Sequence, residues 1–111
     1  AGVPFPVDLI PEVLLALGDV PTAPYATPGT DAMAHNVRDL VRDHDALVLS
    51  HHGSLTVGRT LMQALVALER LEAAARIYAL AHALDDLHPL PPKEIAHLRV
   101  LGSRMRESVS N

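Results

Sequence analysis

The 111 residues contain no cysteine and no tryptophan, and only Phe5, Tyr25 and Tyr78 carry aromatic rings. Without cysteine there is no disulfide framework, no thiolate nucleophile and no cysteine-ligated zinc. That composition fits a reducing compartment, so the cytoplasm is the expected location. With so few aromatics the core must be aliphatic and alanine-rich, and little surface is available for stacking bases or sugars. Nine Lys and Arg against thirteen Asp and Glu give a net charge of −4. The basic residues are scattered singly, which excludes the clustered stripe that a phosphate backbone demands, and nucleic acid is not an expected partner. No uninterrupted apolar run reaches the roughly 20 residues that span a bilayer, so no membrane anchor is expected. The opening Ala1–Pro6 lacks the basic start and unbroken apolar stretch of a secretory signal. It reads as a chain entered partway through.

What is present is 49% apolar residues, enough for one modest domain. Prolines 4, 6 and 11 keep the first eight residues extended. Pro11 suits the first position of a helix, Glu12 adds negative charge to its first turn, and Gly18 is placed to close it after Leu17. This predicts a short helix over residues 10–17. Residues 20–25 are too proline-rich for a central strand and read as an edge strand or extended segment, turned by Pro28-Gly29. Thr30 is the expected cap of a helix to about His44, with Met33, Val37, Leu40 and Val41 inward and Arg38, Asp39, Arg42 and Asp43 facing water. Ala46–Leu49 shows no polar alternation and predicts a strand buried on both faces. Gly53 permits a close turn or backbone approach, and Ser54–Val57 predicts a second strand.

Thr60 and Gln63 form a capping-box pattern ahead of a helix over residues 61–84 that contains neither Gly nor Pro. Being apolar around most of its girth, this helix is expected to be covered on more than one side. Glu72 and Arg76 have the spacing of an i,i+4 ion pair. A proline-rich break over 85–92 precedes a last helix over Lys93–Arg106 with Ile95, Leu98 and Leu101 as its apolar face. A helix leading into a buried strand points to an α/β sandwich.

Chemistry concentrates at His51-His52-Gly53. A catalytic zinc takes three protein ligands and keeps one position open. In extended backbone adjacent side chains point to opposite faces, so at most one of His51 and His52 serves a given ion. His44 lies a strand away, some 20 Å or more at about 3.3 Å per residue. His35, His82, His88 and His97 stand singly, with no His-x-His or His-x-x-x-His pair among them. Glu69 and Glu72 read as helix-surface charges, and Ser54 and Thr56 lack a base that would make either a nucleophile. Read from spacing alone, the His51-His52 pair is a strand-end histidine with an exposed neighbour.

Three segments together carry a resemblance. They are Ile10-Pro11-Glu12-Val13-Leu14-Leu15-Ala16-Leu17-Gly18, Val20-Pro21 with Pro24-Tyr25-Ala26-Thr27-Pro28-Gly29-Thr30, and His51-His52-Gly53 followed by the Leu68–Tyr78 helix. In order and spacing they are similar to the C-terminal half of the class II aldolase/adducin family. The resemblance implies a three-layer αβα sandwich, with residues 1–111 forming the C-terminal part of a single domain. It implies that His52, immediately before Gly53, is a Zn2+ ligand, and His51 does not inherit that role. The family's His-x-His pair and its acid/base glutamate have no counterpart here, so no catalytic or cofactor-binding residue other than this metal ligand is carried over. The implied function is a zinc-dependent lyase that cleaves a small sugar phosphate, fuculose-phosphate-like, by retro-aldol chemistry, working as a homo-oligomer, a tetramer by resemblance. One position departs: in fuculose-phosphate-cleaving members the residue matching Pro28 is aromatic. Epimerase, dehydratase and decarboxylase reactions of the same fold therefore stay open, as does a non-catalytic interaction module like the adducin head. A partial domain would expose an apolar sheet edge and tend to associate.

Overall fold

A computed structural model describes residues 2–85 and 87–110. The elements run α1 (Pro11–Ala16), β1 (Thr22–Ala23), α2 (Asp31–Val41), β2 (Ala46–Leu49), β3 (Gly53–Thr56), α3 (Leu61–Ala83) and α4 (Pro92–Ser110). The three strands form one sheet in the order β1-β2-β3. β1 pairs parallel to β2, Thr22 against Val48, and β3 pairs antiparallel, Leu47 against Leu55. The proline-rich segment is thus an edge strand of two residues, as its composition requires, and apolar Ala46–Leu49 takes the centre.

Strand alternation sends Ala46 and Val48 to one face of the sheet and Leu47 to the other. On the first face Ala46 packs in a cluster with Leu17, Val20 and Leu71, flanked by Phe5, Val7, Ala16, Val48 and Ala67. Leu47, 1% exposed, faces the opposite side, where α2 packs on β1 and β2. Helices therefore cover the sheet from both sides, α1 and α3 on one and α2 on the other, which is the expected αβα layering. Burial on β2 is complete only for Ala46 and Leu47 and falls off toward Val48 and Leu49, because the helices cover the start of the strand and leave its end near the surface.

Pro11 opens α1 at its first turn, and Gly18 follows the helix with a φ of +72°, the left-handed conformation that suits glycine after a helix. The closest helix contact is between α1 and α4, at Gly102. A β-carbon there would lie 2.5 Å from the Leu14 carbonyl oxygen. Arg106 Nη1 donates to the carbonyl oxygens of Leu14 (2.8 Å) and Leu15 (3.2 Å), adding to the Gly18 N–H that Leu14 O already accepts (3.1 Å) and giving Leu15 O, near the open end of a short helix, a donor. The face of α4 is consequently Ile95, Leu98, Gly102 and Arg106. Leu101, expected inside, is 38% exposed, because the backbone contact at Gly102 sets the rotation of the helix.

Arg99 on the same helix donates from Nε and Nη2 to Asp19, 2.9–3.2 Å away. These hydrogen bonds, aided by the charges of Asp19 and Asp8 against a smaller opposing effect of burial, raise the Arg99 guanidinium above its ordinary value. A raised cation contributes stability below its unfolded value and loses it only as pH passes the folded one, so this pair adds no pH dependence near neutrality.

Three local expectations are corrected. Thr30 sits at the N-cap of α2, yet its hydroxyl donates to the Thr27 carbonyl oxygen (2.7 Å) and caps nothing in the helix. Within these residues α3 is covered on one side: Leu71 and Ala74 are buried, while Leu61, Met62 and Leu80, with Leu84 just past its end, are 64–92% exposed. Glu72 and Arg76 line an open hollow on α3 with Leu68, Ala73 and Ile77; among the described residues the ion pair formed is Arg99–Asp19.

Candidate metal-ligand site at the turn after the central strand

The central strand ends in a turn that carries the histidine pair. Ser50 N–H donates to Ala23 O (3.2 Å), extending the β1–β2 pairing past Leu49, and His52 N–H donates back to Leu49 O (3.0 Å) to close the turn. His51 occupies the bend with a φ of +58°. For a side chain branched only beyond Cβ this left-handed conformation costs about 1–2 kcal/mol. The backbone here is a turn, so the strict alternation assumed for an extended segment does not govern the two imidazoles.

The His51 ring stands nearly perpendicular to the Tyr25 ring, at 85° with centroids 6.1 Å apart. That is the edge-to-face range in which aromatic pairs gain about 0.5–1.5 kcal/mol, comparable to the backbone cost at the same residue. His52 carries no such contact. It is exposed, and no described residue hydrogen-bonds its imidazole. Its ring nitrogens remain open to an external partner. Gly53, expected for a close approach, has open space around its α-carbon, and it opens β3 as an ordinary strand residue.

The other histidines lie apart from this turn. His44 Nδ1–H donates to Leu40 O at 2.9 Å and thereby caps the end of α2. His82 packs against Tyr78 along α3, ring centroids 5.8 Å apart. His35 and His97 are exposed on α2 and α4, and His88 lies in the loop after α3, lining an apolar groove of about 240 Å³ with Val13, Ala74, Ile77 and Tyr78. Thr56 donates its hydroxyl to Ala64 O (2.9 Å) and ties β3 to α3. Among the described residues no group of three or more His, Asp or Glu side chains is placed to hold a metal ion, and no helix is long and apolar enough to cross a membrane. Pro28 is exposed in the turn before α2.

The sequence draws attention to the histidine pair and gives no direct sign of Tyr25 as the neighbour of His51. The indirect signal is the place of Tyr25 just past β1, since a strand parallel to β2 brings the two strand ends together.

Comparison with known proteins fits this geometry. Residues 6–79 match the family model described as the class II aldolase and adducin N-terminal domain. The chain is 34% identical over 91 residues to 3-oxo-tetronate 4-phosphate decarboxylase of Escherichia coli strain K12, covering 80% of this chain and 42% of that protein. It is 33% identical over 94 residues to L-fuculose phosphate aldolase of Escherichia coli O6:H1, covering 82% and 44%. A solved structure of L-fuculose 1-phosphate aldolase superposes with a TM-score of 0.76 at 29% identity, covering 88% of this chain and 46% of that one. The chain spans less than half the length of these relatives. A family model matching two thirds of the residues, together with a fold shared with a solved aldolase, shows that the chain belongs to the class II aldolase and adducin family.

Proposed function

We propose that these residues form part of a class II aldolase-type lyase acting on a small sugar phosphate, with His52 as one ligand of a catalytic Zn2+. The observation that carries this reading is the state of the His52 side chain: an exposed imidazole with no hydrogen-bond partner among the described residues, in the turn after the central strand, in a chain of this family. Imidazole is the side chain most often used to bind such metals, and one free ring fits one coordination position. It does not fill a site, which needs three protein donors. The remaining donors and the proton-moving glutamate are assigned, by resemblance, to chain outside these 111 residues.

Bound there, zinc supplies Lewis acidity toward a carbonyl oxygen of the substrate. The chain's own part is to hold a neutral imidazole nitrogen at a fixed place. The Ser50–Ala23 and His52–Leu49 backbone hydrogen bonds immobilise the turn, and the central strand anchors it to the sheet core.

The identity to a decarboxylase favours a second reaction at the same site. Retro-aldol cleavage breaks a carbon–carbon bond within a sugar, and decarboxylation of a 3-oxo acid releases carbon dioxide. Both leave an electron pair beside a carbonyl and call for the same positive charge at its oxygen. A homo-oligomer, tetrameric by resemblance, and a cytoplasmic location complete the proposal.

The test is His52→Ala in the full-length protein that carries this sequence, with zinc content measured by mass spectrometry. Aldehyde release from L-fuculose 1-phosphate and carbon dioxide release from 3-oxo-tetronate 4-phosphate are followed in parallel. The expected result is loss of zinc and of whichever reaction the unaltered protein performs. Retention of both zinc and turnover in the variant would remove His52 from the site.

A further inference from the structure

We infer that His51 and Tyr25 are positioning residues that lock the turn and thereby set the direction of the His52 imidazole. This rests on the reading of His52 as a metal ligand, and it assigns a task to the two side chains that reading leaves unused.

His51 adopts a left-handed φ of +58°, a conformation uncommon outside glycine, although histidine enters it more readily than most residues, as asparagine and aspartate do. Such a conformation persists where its surroundings over-determine it. Three contacts do so. The backbone is pinned on one side by Ser50 N–H on Ala23 O and on the other by His52 N–H on Leu49 O. The His51 ring is pinned from the side by the perpendicular face of Tyr25. The left-handed residue decides where the next one points: relaxing His51 to a right-handed or extended φ would swing the Cα–Cβ bond of His52 away from its present direction.

Tyr25 is the member that sequence and packing do not otherwise explain. It is 60% exposed, so it contributes little to the core, and its ring contact is with His51. It lies two residues past β1, after Pro24, and the parallel pairing of β1 with β2 carries it toward the turn. Groups that hydrogen-bond a ligand directly cost tenfold to a hundredfold in metal affinity when lost; Tyr25 touches His51 and reaches His52 only through the turn backbone, so its effect belongs at the low end of that range.

The experiment uses the full-length protein and compares Tyr25→Ala, Tyr25→Phe, His51→Ala and His52→Ala. Metal affinity is measured by chelator competition, coordination by the visible spectrum of the Co2+-substituted protein, and fold by the melting temperature of the metal-free form. Nuclear Overhauser contacts between the Tyr25 and His51 rings are recorded in the unaltered protein. Tyr25→Ala and His51→Ala should bind metal roughly tenfold more weakly with altered Co2+ bands, and the melting temperature of exposed Tyr25→Ala should stay close to the parent. Tyr25→Phe, which keeps the ring, should restore parental affinity and spectrum. Parental affinity and bands in Tyr25→Ala, or no contact between the two rings, would overturn the positioning role provided His52→Ala has lost the metal. Metal retained by His52→Ala would instead overturn the underlying ligand assignment, and the two failures are thereby told apart.

Discussion

At the residue scale, Gly102 sets two opposing effects against each other. Replacing a mid-helix glycine by alanine gains about 1 kcal/mol of helix propensity. Here the added methyl would sit 2.5 Å from Leu14 O and 3.1 Å from Leu15 Cα, both backbone atoms that cannot rotate away. α1 would have to move off α4, which disturbs buried Leu14 and the Arg106 hydrogen bonds together. Overpacking of this kind costs about 1–3 kcal/mol, and the shift of two helices places the cost at the upper end. Gly102→Ala should therefore lower stability by about 1–2 kcal/mol net, read as a fall in the urea midpoint at unchanged slope. A glycine in a helical pattern reads as a weak helix former, and nothing adjacent to it in the sequence announces the partner backbone 88 positions upstream. That is why Leu101 was expected inside and Gly102 was not. His51 is similar: the pair was legible as chemistry, while its left-handed backbone was not, since histidine adopts that conformation more often than most residues but far less regularly than glycine.

At the element scale the sequence was most legible where local chemistry decides. α3 begins where the capping pattern places it, with Gln63 N–H donating to Thr60 Oγ1 (3.1 Å). The return bond differs in one detail: Gln63 Oε1 accepts from Arg59 N–H (3.0 Å), one residue before the cap, where the usual pattern would use the cap's own N–H. The side chain thus fastens the approach to the helix as well as its first turn. Thr60→Ala should cost about 1 kcal/mol, and it should also loosen residues 58–60, seen as faster amide exchange at Arg59. A drop in stability with unchanged exchange there would separate the cap from the approach. Thr30 shows where such reasoning stops. It has the same residue type at the same kind of position, but the nearer Thr27 carbonyl takes its hydroxyl. The expected second covering of α3 is not supplied within these residues: an apolar face states that something packs on it and does not say whether that partner lies in the same chain.

At the scale of the whole molecule, the αβα layering, the edge position of β1 and the central place of β2 all followed from hydropathy, proline placement and the family resemblance. Neither hydropathy nor spacing could supply a complete site. Among the described residues the strand-end turn presents the exposed imidazole of His52, with that of His51 against Tyr25, and no three donors converge. One imidazole binds Zn2+ weakly, because affinity in such sites comes from several preplaced ligands acting on one ion. The 111-residue chain prepared alone should therefore show no stoichiometric zinc after dialysis, while the full-length protein retains it. The same preparation exposes Leu61, Met62, Leu80 and Leu84 along α3, and apolar surface on that scale drives association. Sedimentation should show concentration-dependent oligomers that shift toward monomer in Leu80→Lys, since a charge on that face must be desolvated in any contact. A monomeric parent chain holding one tightly bound zinc would contradict both halves of the argument, because it would require a complete donor set and a covered α3 within these residues alone.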